Sequence, residues 1–425
     1  MKIIPAVRNL AITTALAVTL AGPATAGTVY VKAARLLDVD AGKYVADPLI
    51  KVTDGKVETI TSGAQPPAGA EVVDLSGLTV LPGLIDMHVH LDGRPEYGGY
   101  NSLAFTDRFW TALGVENARR MLNAGFTTVR NVGDNDYNVA GVDQAIEAGW
   151  IKGPRIVNAN YALGATGGHC DETYLPPSFE AKSPGVGDSV DELRKRVREQ
   201  RKYGAEVIKV CATGGVFSRN TEPGQQQLTE AELRAIADEA HLWGVKVAAH
   251  AHGANGIKAA IRGGIDTIEH ASLIDDEGIR LAREHGTFLV MDIFNTEYTQ
   301  ATGAANGVME DNLRKDREVA QIQRDNFRKA FKAGVKMAFG TDAGVMPHET
   351  AAGQFRIMVE YGMTPLDAIR AATANAADAL GQTGEVGTLK PGAWADMVAV
   401  NGDPLADVTI LEKPAKVLKA GELVD

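Results

Sequence analysis

Residues 78–91, LTVLPGLIDMHVHL, decide the fold class of this 425-residue chain. The apolar run passes Pro82-Gly83 and ends in His88 and His90. Side chains two residues apart on a β-strand face the same side, so the two imidazoles point the same way, together with Asp86. The segment therefore predicts a buried strand that presents a pair of metal-binding side chains at its carboxyl end.

Four more apolar runs carry, at or next to their carboxyl ends, a side chain that can take part in a metal site. Their sequences are AEVIKVCATGG with Lys209, VKVAAHAHG with His250, DTIEHAS with His270 and KMAFGTDAG with Asp342. A (β/α)₈ barrel carries its chemistry at the carboxyl ends of its strands. Five strands that deliver histidine, lysine and aspartate to one level indicate a metal centre at that face.

The middle of the chain alternates predicted strands with amphipathic helices. Helices are expected at 190–203, 229–243 and 311–333, and Thr229 with the acidic residues after it is typical of a helix start. The eight predicted strands are 80–91, 126–132, 154–162, 205–212, 245–252, 265–271, 287–293 and 335–343. Eight strands alternating with helices predict an α/β fold, a parallel (β/α)₈ TIM-type barrel.

Both ends of the chain alternate apolar and polar residues and contain turn pairs such as Asp54-Gly55 and Gly402-Asp403, which predicts short β-strands. We expect them to join in one small β-sandwich domain. The predicted organisation is a signal peptide at 1–26, the first part of the sandwich at 27–79, the barrel at 80–384 and the second part of the sandwich at 385–425.

The first 26 residues have the pattern of an export signal. Lys2 and Arg8 are basic, residues 10–22 are apolar, and Ala24-Thr25-Ala26 is a small-residue cleavage site. The apolar run is too short to cross a bilayer comfortably. The sequence therefore predicts cleavage and an exported, periplasmic protein.

Composition limits the classes of partner. Hydrophobic residues make up 45% and charged residues 23%, which is ordinary for a globular protein, and the net charge is −11. An acidic chain is not expected to bind nucleic acid or an anionic membrane. We expect a homo-oligomer that acts on a small molecule. Cys170 and Cys211 are expected as free thiols, with a disulfide as the alternative.

Lys209 lies among Val207, Ile208 and Val210, so its surroundings are apolar. Burial disfavours an ammonium and lowers the lysine pKa. A neutral amine can take up CO₂, and the resulting carbamate has two oxygens that can bridge two cations. The alternative is a lysine paired with a carboxylate, but an ammonium would be repelled by a neighbouring divalent cation.

The segments PGLIDMHVH, VIKVCATGG, VAAHAHG, IEHAS and GTDAG resemble the metal-dependent amidohydrolase superfamily, and the resemblance covers nearly the whole mature chain. The tail ATANAADALGQTGEVGTLKPGAWADMVAVNGDP is similar to that superfamily's return into its β-domain. Within it, ALGATGGHC, KVCATGGVFS and HAHG look like the group of exported Xaa-Pro and related dipeptidases. That group also includes ochratoxin-hydrolysing amidohydrolases.

The resemblance implies two divalent ions, with zinc expected, and a hydroxide between them as nucleophile. The implied ligands are His88, His90 and Asp342 for the buried ion, His250 and His270 for the exposed one, and carboxylated Lys209 as the bridge. Asp342 would also move the proton to the leaving amine, and His252 or His169 would polarise the scissile carbonyl.

The remaining candidates are weaker. Arg219 could hold a substrate carboxylate, with a solvated loop charge as the alternative, and His348 could line the pocket. His241 and His285 lie on or at the ends of predicted helices and are expected to be structural.

Other function classes use related residues. A mononuclear ring deaminase would not need Lys209 and would have a glutamate three residues after the histidine of strand five, where this chain has Gly253. A lactone or phosphotriester hydrolase, or a binding protein on a relic barrel, are further alternatives. The favoured hypothesis is that the protein is a binuclear hydrolase of a peptide-like amide, such as a dipeptide, an N-acyl amino acid or ochratoxin A.

Overall fold

A computed structural model describes residues 27–424. The predicted signal peptide lies outside the described residues. The strands are β1 Val29–Asp38, β2 Lys43–Ala46, β3 Pro48–Thr53, β4 Lys56–Ser62, β5 Glu71–Pro82, β6 Leu84–Val89, β7 Phe126–Asn131, β8 Arg155–Asn158, β9 Val207–Cys211, β10 Lys246–Gly253, β11 Thr267–Leu273, β12 Phe288–Val290, β13 Met337–Ala338, β14 Met397–Val400, β15 Lys416–Lys419 and β16 Glu422–Leu423.

The α-helices mostly lie between the strands of the central part. They are α1 Asp107–Asn123, α2 Asn138–Glu147, α3 Val190–Lys202, α4 Glu230–Leu242, α5 Ala254–Arg262, α6 Asp276–His285, α7 Asn295–Thr302, α8 Glu310–Lys332, α9 Gln354–Glu360, α10 Pro365–Ala371 and α11 Ala374–Leu380. In the part of the chain that is described, none of these helices has the length and apolar character needed to cross a bilayer.

One mixed sheet contains strands from both ends of the chain. Its order is β16-β15-β14-β5-β1-β3-β4, and β2 pairs with β1. β14 runs antiparallel to β5, so the C-terminal strands extend a sheet that the N-terminal strands begin. Apolar side chains from both ends, including Val31, Ile50, Val80 and Met397, form its core. The joining of the two ends agrees with the sequence, and the two-layer sandwich stays a prediction.

Eight parallel strands of the central part occur in two sheets, β6-β7-β8 and β9 to β13, each in chain order. The sequence predicts one closed ring. At both junctions the sheets are joined by backbone hydrogen bonds outside the regular ladders. Between β6 and the end of β13, the Met87 amide donates to Phe339 (2.9 Å), the Asp342 amide to His88 (2.8 Å) and the His90 amide to Ala343 (2.7 Å). Between β8 and β9, the Glu206 amide donates to Asn158, the Leu163 amide to Lys209 and the Cys211 amide to Leu163, each at 2.8 Å. β8 and β13 have only 4 and 2 residues, so regular pairing ends before the sheets meet.

The predicted first strand, 80–91, is divided at Gly83. Residues up to Pro82 belong to β5 in the mixed sheet, and β6 begins at Leu84 beside β7. A Cβ atom at Gly83 would lie 2.1 Å from Oγ1 of Thr127, so only glycine fits where the chain passes from one sheet to the other. Pro82 also lacks the amide hydrogen that would continue a ladder.

The three helices expected from the sequence are α3, α4 and α8, with ends within one residue of the predicted ones. Thr229 caps α4: its side chain accepts from the Glu232 amide, and Glu232 accepts from the Thr229 amide. The helices bury apolar residues against the parallel strands in the largest hydrophobic cluster of the described chain.

Cys170 and Cys211 form a disulfide with their Cα atoms 5.8 Å apart, so the expectation of two free thiols was wrong. The reason is the contact between Leu163 and β9, in which the Cys211 amide donates to the Leu163 carbonyl. This contact brings the loop after β8 against the strand that carries Cys211. A separation of 41 residues in the sequence gave no sign of that proximity.

Candidate metal centre

A cavity of about 280 Å³ lies at the carboxyl ends of the parallel strands. Every residue that the sequence proposed as a metal ligand lines it: His88, His90, Lys209, His250, His270 and Asp342. His252 and His169, proposed to act on the carbonyl, line the same cavity. The structure thus brings together side chains that are up to 254 positions apart in the chain, as in the pair His88 and Asp342.

The first cluster consists of His88, His90 and Asp342, whose ligand atoms lie within 4.8 Å of one another. The Asp342 carboxylate is 3.4 Å from Nε2 of both histidines. Nζ of Lys209 also lies 3.4 Å from Nε2 of His88. Asp342 has a positive φ of 59°, a conformation that non-glycine residues adopt rarely and that is concentrated at functional sites.

The second cluster consists of His250, His252 and His270. The ring centroids of His250 and His270 are 4.6 Å apart, and those of His252 and His270 are also 4.6 Å apart. All three rings are buried. The geometry places His252 as close to the cluster as the two proposed ligands, so position alone does not separate its role from theirs.

Lys209 is buried on β9, with 3% of its surface exposed. Burial lowers its pKa to about 8, although the carboxylates of Glu269 and Asp342 act in the opposite direction. The neutral amine that carbamate formation requires is therefore easier to reach near neutral pH than in an exposed lysine. The apolar flanks quoted from the sequence, Ile208 and Val210, are buried on either side of it.

The tautomers of the first two histidines are fixed by partners on the far side of each ring. Nδ1 of His88 lies 3.0 Å from Glu269, and Nδ1 of His90 lies 2.9 Å from the Gly133 carbonyl. Because these oxygens accept, each Nδ1 donates, and each Nε2 keeps a free lone pair that faces Asp342. This arrangement of outer partners orients metal-binding imidazoles.

The second cluster follows the same rule with one ring reversed. Nδ1 of His270 donates to Asp292 at 2.9 Å, which leaves Nε2 free. His250 instead uses Nε2 to donate to the Gly214 carbonyl at 3.1 Å, which leaves Nδ1 free. Nδ1 of His252 lies 2.8 Å from the Ser272 hydroxyl, which can either donate or accept. His252 is therefore the one ring of the three whose tautomer its neighbour does not impose.

A buried ion pair behind His88 was missed by sequence reasoning. Arg130 and Glu269 have 1% and 0% of their side chains exposed, and their nearest atoms are 2.7 Å apart. Strand alternation would place Glu269 opposite to His270. His270 and Ala271 have positive φ values of 68° and 49°, and this bend allows both Glu269 and His270 to reach the site.

Asp292, which follows β12, is a further residue that sequence reasoning missed. It lines the cavity and accepts from His270 and from Nε2 of Gln323. Burial opposes ionisation of Asp292, but the charge and hydrogen bond of His270 outweigh it and hold its pKa at about 2. In the same pair, burial lowers the pKa of His270 while Asp292 raises it, with a net upward shift. The signal in the sequence was weak, because one aspartate after a three-residue strand is common.

His169 lies in the long loop after β8 and not at the end of a strand. Its ring stacks on His250 with centroids 4.0 Å apart, and its Nδ1 is 2.8 Å from the Ser218 hydroxyl. Burial lowers its pKa to about 3. A Cβ atom at Gly215 would be 2.3 Å from this ring, so glycine is required opposite it.

The other candidates lie elsewhere. Arg219 is exposed and donates to the Tyr100 hydroxyl (2.9 Å) and the Tyr174 carbonyl (3.3 Å), outside the metal-site cavity. His348 is fully buried behind His90, with Nε2 3.1 Å from the His90 carbonyl, and does not line the cavity. The sequence also assigned His241 and His285 to helices, and they lie on α4 and at the end of α6.

The donor set suits divalent transition metals. Imidazole and carboxylate with an anionic bridge are the ligands of zinc hydrolases, and they leave room for water when several strands supply them. Four imidazoles, three of them buried, line one cavity with a free ring nitrogen each, which is the arrangement that metal binding requires. The residues present therefore fit the metals that the sequence implies.

The comparison with known proteins agrees with this geometry. The profile of the amidohydrolase family matches residues 79–424, which includes the whole site. The chain belongs to the amidohydrolase family. It is a hydrolase that acts on amide bonds.

Individual relatives cover most of the chain. It is 35% identical over 370 residues to the ochratoxinase of Aspergillus niger, a match that covers 81% of this chain and 75% of that protein. The crystal structure of the A. niger ochratoxinase matches with a TM-score of 0.83 and 31% identity, over 94% of this chain and 96% of the other. A Xaa-Pro dipeptidase with bound methionine in its active site matches with a TM-score of 0.86 and 34% identity, over 94% and 100%.

Proposed function

We propose that this amidohydrolase is a binuclear metal enzyme that cleaves a peptide-like amide whose leaving half is an amino acid with a free α-carboxylate. The observation that carries the proposal is the buried Lys209 among imidazoles whose metal-binding nitrogens are free. His88, His90, His250 and His270 each donate one ring N–H to an outer acceptor, and the free Nε2 atoms of His88 and His90 lie 3.4 Å from Asp342. A single ion could be held by the same histidines and Asp342, but it would not need the buried Lys209, whose Nζ lies 3.4 Å from Nε2 of His88.

We assign His88, His90 and Asp342 to one ion and His250 and His270 to the other, with carboxylated Lys209 between them. Carboxylation adds CO₂ to the neutral amine and releases one proton, and the product has the two oxygens that a bridge requires. Zinc is the proposed metal. When bound, the two ions would activate water and polarise the scissile carbonyl.

The protein groups divide the remaining work. Asp342 accepts the proton of the attacking water and later gives it to the leaving amine, which is a poor leaving group without that proton. His252 donates to the carbonyl oxygen as negative charge develops there, a role that suits its adaptable tautomer. His169, stacked on His250, positions the acyl half.

The wider architecture belongs to the same proposal. The two parallel sheets would act as one (β/α)₈ barrel joined at the two junctions, with the mixed sheet as the small β-sandwich domain. Residues 1–26 would direct export, most simply to the periplasm, and the enzyme would form a homo-oligomer. Small amides are the proposed substrates, including Xaa-Pro dipeptides, N-acyl amino acids and ochratoxin A, which would yield phenylalanine and an isocoumarin acid.

The test is a substrate panel with purified, zinc-loaded protein. It contains ochratoxin A, N-acyl-phenylalanine, Xaa-Pro dipeptides, an aryl lactone and a phosphotriester, and metal content is measured by mass spectrometry. We expect hydrolysis of the amides with two ions per chain. Rapid turnover of the lactone or phosphotriester with every amide intact would refute the amide assignment, and one ion per chain would refute the binuclear site.

A further inference from the structure

A second cavity of about 200 Å³ adjoins the metal-site cavity. Phe217 and Val345 line both of them, so a substrate in one can extend into the other. The apolar part of its wall is formed by Tyr100, Tyr174, Phe217, Val308, Met309 and Val345. Nothing in the metal chemistry uses this second cavity.

We propose that this cavity binds an aromatic side chain on the leaving amino acid of the substrate. The inference rests on the proposed function and names the substrate class that the site selects. From here on, the cavity is called the aromatic subsite.

The size of the aromatic subsite matches one ring. A protein cavity of about 150 Å³ accommodates benzene, so about 200 Å³ accepts a benzyl group with little unfilled space. A fused bicyclic acyl group with its substituents would need more room. The size therefore favours phenylalanine- or tyrosine-like groups over larger ones.

The wall chemistry favours a neutral, apolar occupant. Arg94 is the single charged residue among those that line the subsite within the described chain, and it is paired with Glu96 (3.2 Å) and Glu349 (3.3 Å). Its charge is thus already neutralised. Tyr100 and Tyr174 meet edge to face, with centroids 6.0 Å apart, and aromatic rings favour a third ring in a similar arrangement.

Hydrogen bonds between different loops hold the subsite in shape without a ligand. The Tyr100 hydroxyl donates to the Tyr174 carbonyl (2.9 Å), and Nδ2 of Asn101 donates to the Asn306 carbonyl (3.0 Å). Arg219 donates to the Tyr100 hydroxyl as well, which gives this residue a role in shaping the subsite. Preformed apolar pockets lose little entropy when they bind.

The position of the subsite identifies which half of the substrate enters it. Gly344 and Val345, which line it, lie two and three positions after Asp342, and the Val345 amide donates to the Asp342 carbonyl at 3.1 Å. Asp342 is the group proposed to protonate the leaving amine. The half attached to that amine is therefore the one beside the subsite, whereas His252 and His169 do not line it.

The experiment compares two pairs of substrates in zinc-loaded protein. The first pair, N-acetyl-phenylalanine and N-acetyl-alanine, varies the leaving half, and the second, N-(phenylacetyl)alanine and N-acetyl-alanine, varies the acyl half. Burial of a phenyl side chain predicts a kcat/KM ratio of about 10 to 150 for the first pair in the wild-type protein. Val308→Trp, which fills the subsite, should bring that ratio to within a few-fold of 1 and leave the second ratio unchanged.

Two controls keep the outcomes distinct. Val72→Trp adds the same side chain at an exposed position on β5 and should change neither ratio. If Val308→Trp melts earlier than the wild type, Val308→Leu gives the same comparison with a smaller fall. A fall in the second ratio would assign the cavity to the acyl half, and two unchanged ratios would show that it is no subsite; either overturns the inference. A wild-type protein that cleaves no amide would instead overturn the proposed function.

Discussion

Glu269→Gln tests the buried support of His88 with a change that preserves shape. Glu269 accepts from Arg130 (2.7 Å) and Thr267 (2.5 Å) on one oxygen and from His88 (3.0 Å) on the other. A glutamine has one accepting oxygen, so one side of this network must lose its acceptor in either orientation of the amide. With the amide nitrogen toward Arg130, two donors meet. With it toward His88, Nδ1 must accept, the proton moves to Nε2, and the ligand lone pair is lost.

Both costs can be estimated. The charge of Arg130 stays buried without a partner, which costs about 3–5 kcal/mol of unfolding free energy. Loss of an outer partner of a metal-binding histidine weakens metal affinity by about 10- to 100-fold. The first quantity is measured by urea unfolding of the metal-free protein, and the second by competition with a chromophoric chelator.

The matched control is Glu58→Gln on β4, where the carboxylate pairs with exposed Lys51 at 2.6 Å. An exposed pair contributes about 0–1 kcal/mol, so this variant should stay near the wild type in both assays. The argument fails if Glu269→Gln is no less stable than Glu58→Gln and binds metal equally well. Arg130→Met combined with Glu269→Gln should recover part of the loss, because no unpaired charge then remains.

Three further predictions concern single side chains. Lys209→Ala should lose metal and activity, with partial rescue by short carboxylic acids, and a fully active, metal-replete variant would contradict the bridge. His252→Ala should lower kcat by about 10²–10³-fold while two ions per chain remain, and metal loss would instead make it a ligand. Burial, with Glu147 and Glu206 nearby, raises the pKa of Asp143 from 3.8 to about 7, so its contribution to stability falls as pH rises toward 7. Asp143→Asn should therefore melt above the wild type at pH 8, and a melting-temperature difference that does not shrink toward pH 5.5 would refute this.

The part of the site that follows strand periodicity could be read from the sequence. His88 and His90 are two residues apart on a regular strand, and Lys209 is central in an apolar one, so alternation and burial predicted where both would point. The helix start at Thr229 was predicted equally well, because a capping box depends on two residues only three positions apart. Strand alternation and helix capping depend on residues within a few positions of one another, so the sequence alone predicted these features.

The features that sequence reasoning missed depend on local exceptions or on distant contacts. Glu269 supports His88 only because His270 and Ala271 adopt positive φ values. Neither histidine nor alanine is a residue type that predicts such a conformation. Asp292 acts through its distance to His270, 22 positions away. Gly83 divides an apolar run that looks like one continuous strand. The reason for a glycine there is the close approach of Thr127 on another strand, which the local sequence does not show.

The bond between Cys170 and Cys211 also restricts the chain before it folds. The two residues are 41 positions apart, and closing a loop of that length lowers the entropy of the unfolded chain by the equivalent of about 4 kcal/mol. The loop contains α3 and β9, so the covalent link lies at the junction where the three-stranded and five-stranded sheets meet. A chain made in a reducing environment would have the same catalytic residues but a lower thermal stability, because the link at that junction would be missing. The oxidation state of this pair is therefore a quantity to fix before thermal stabilities of different preparations are compared.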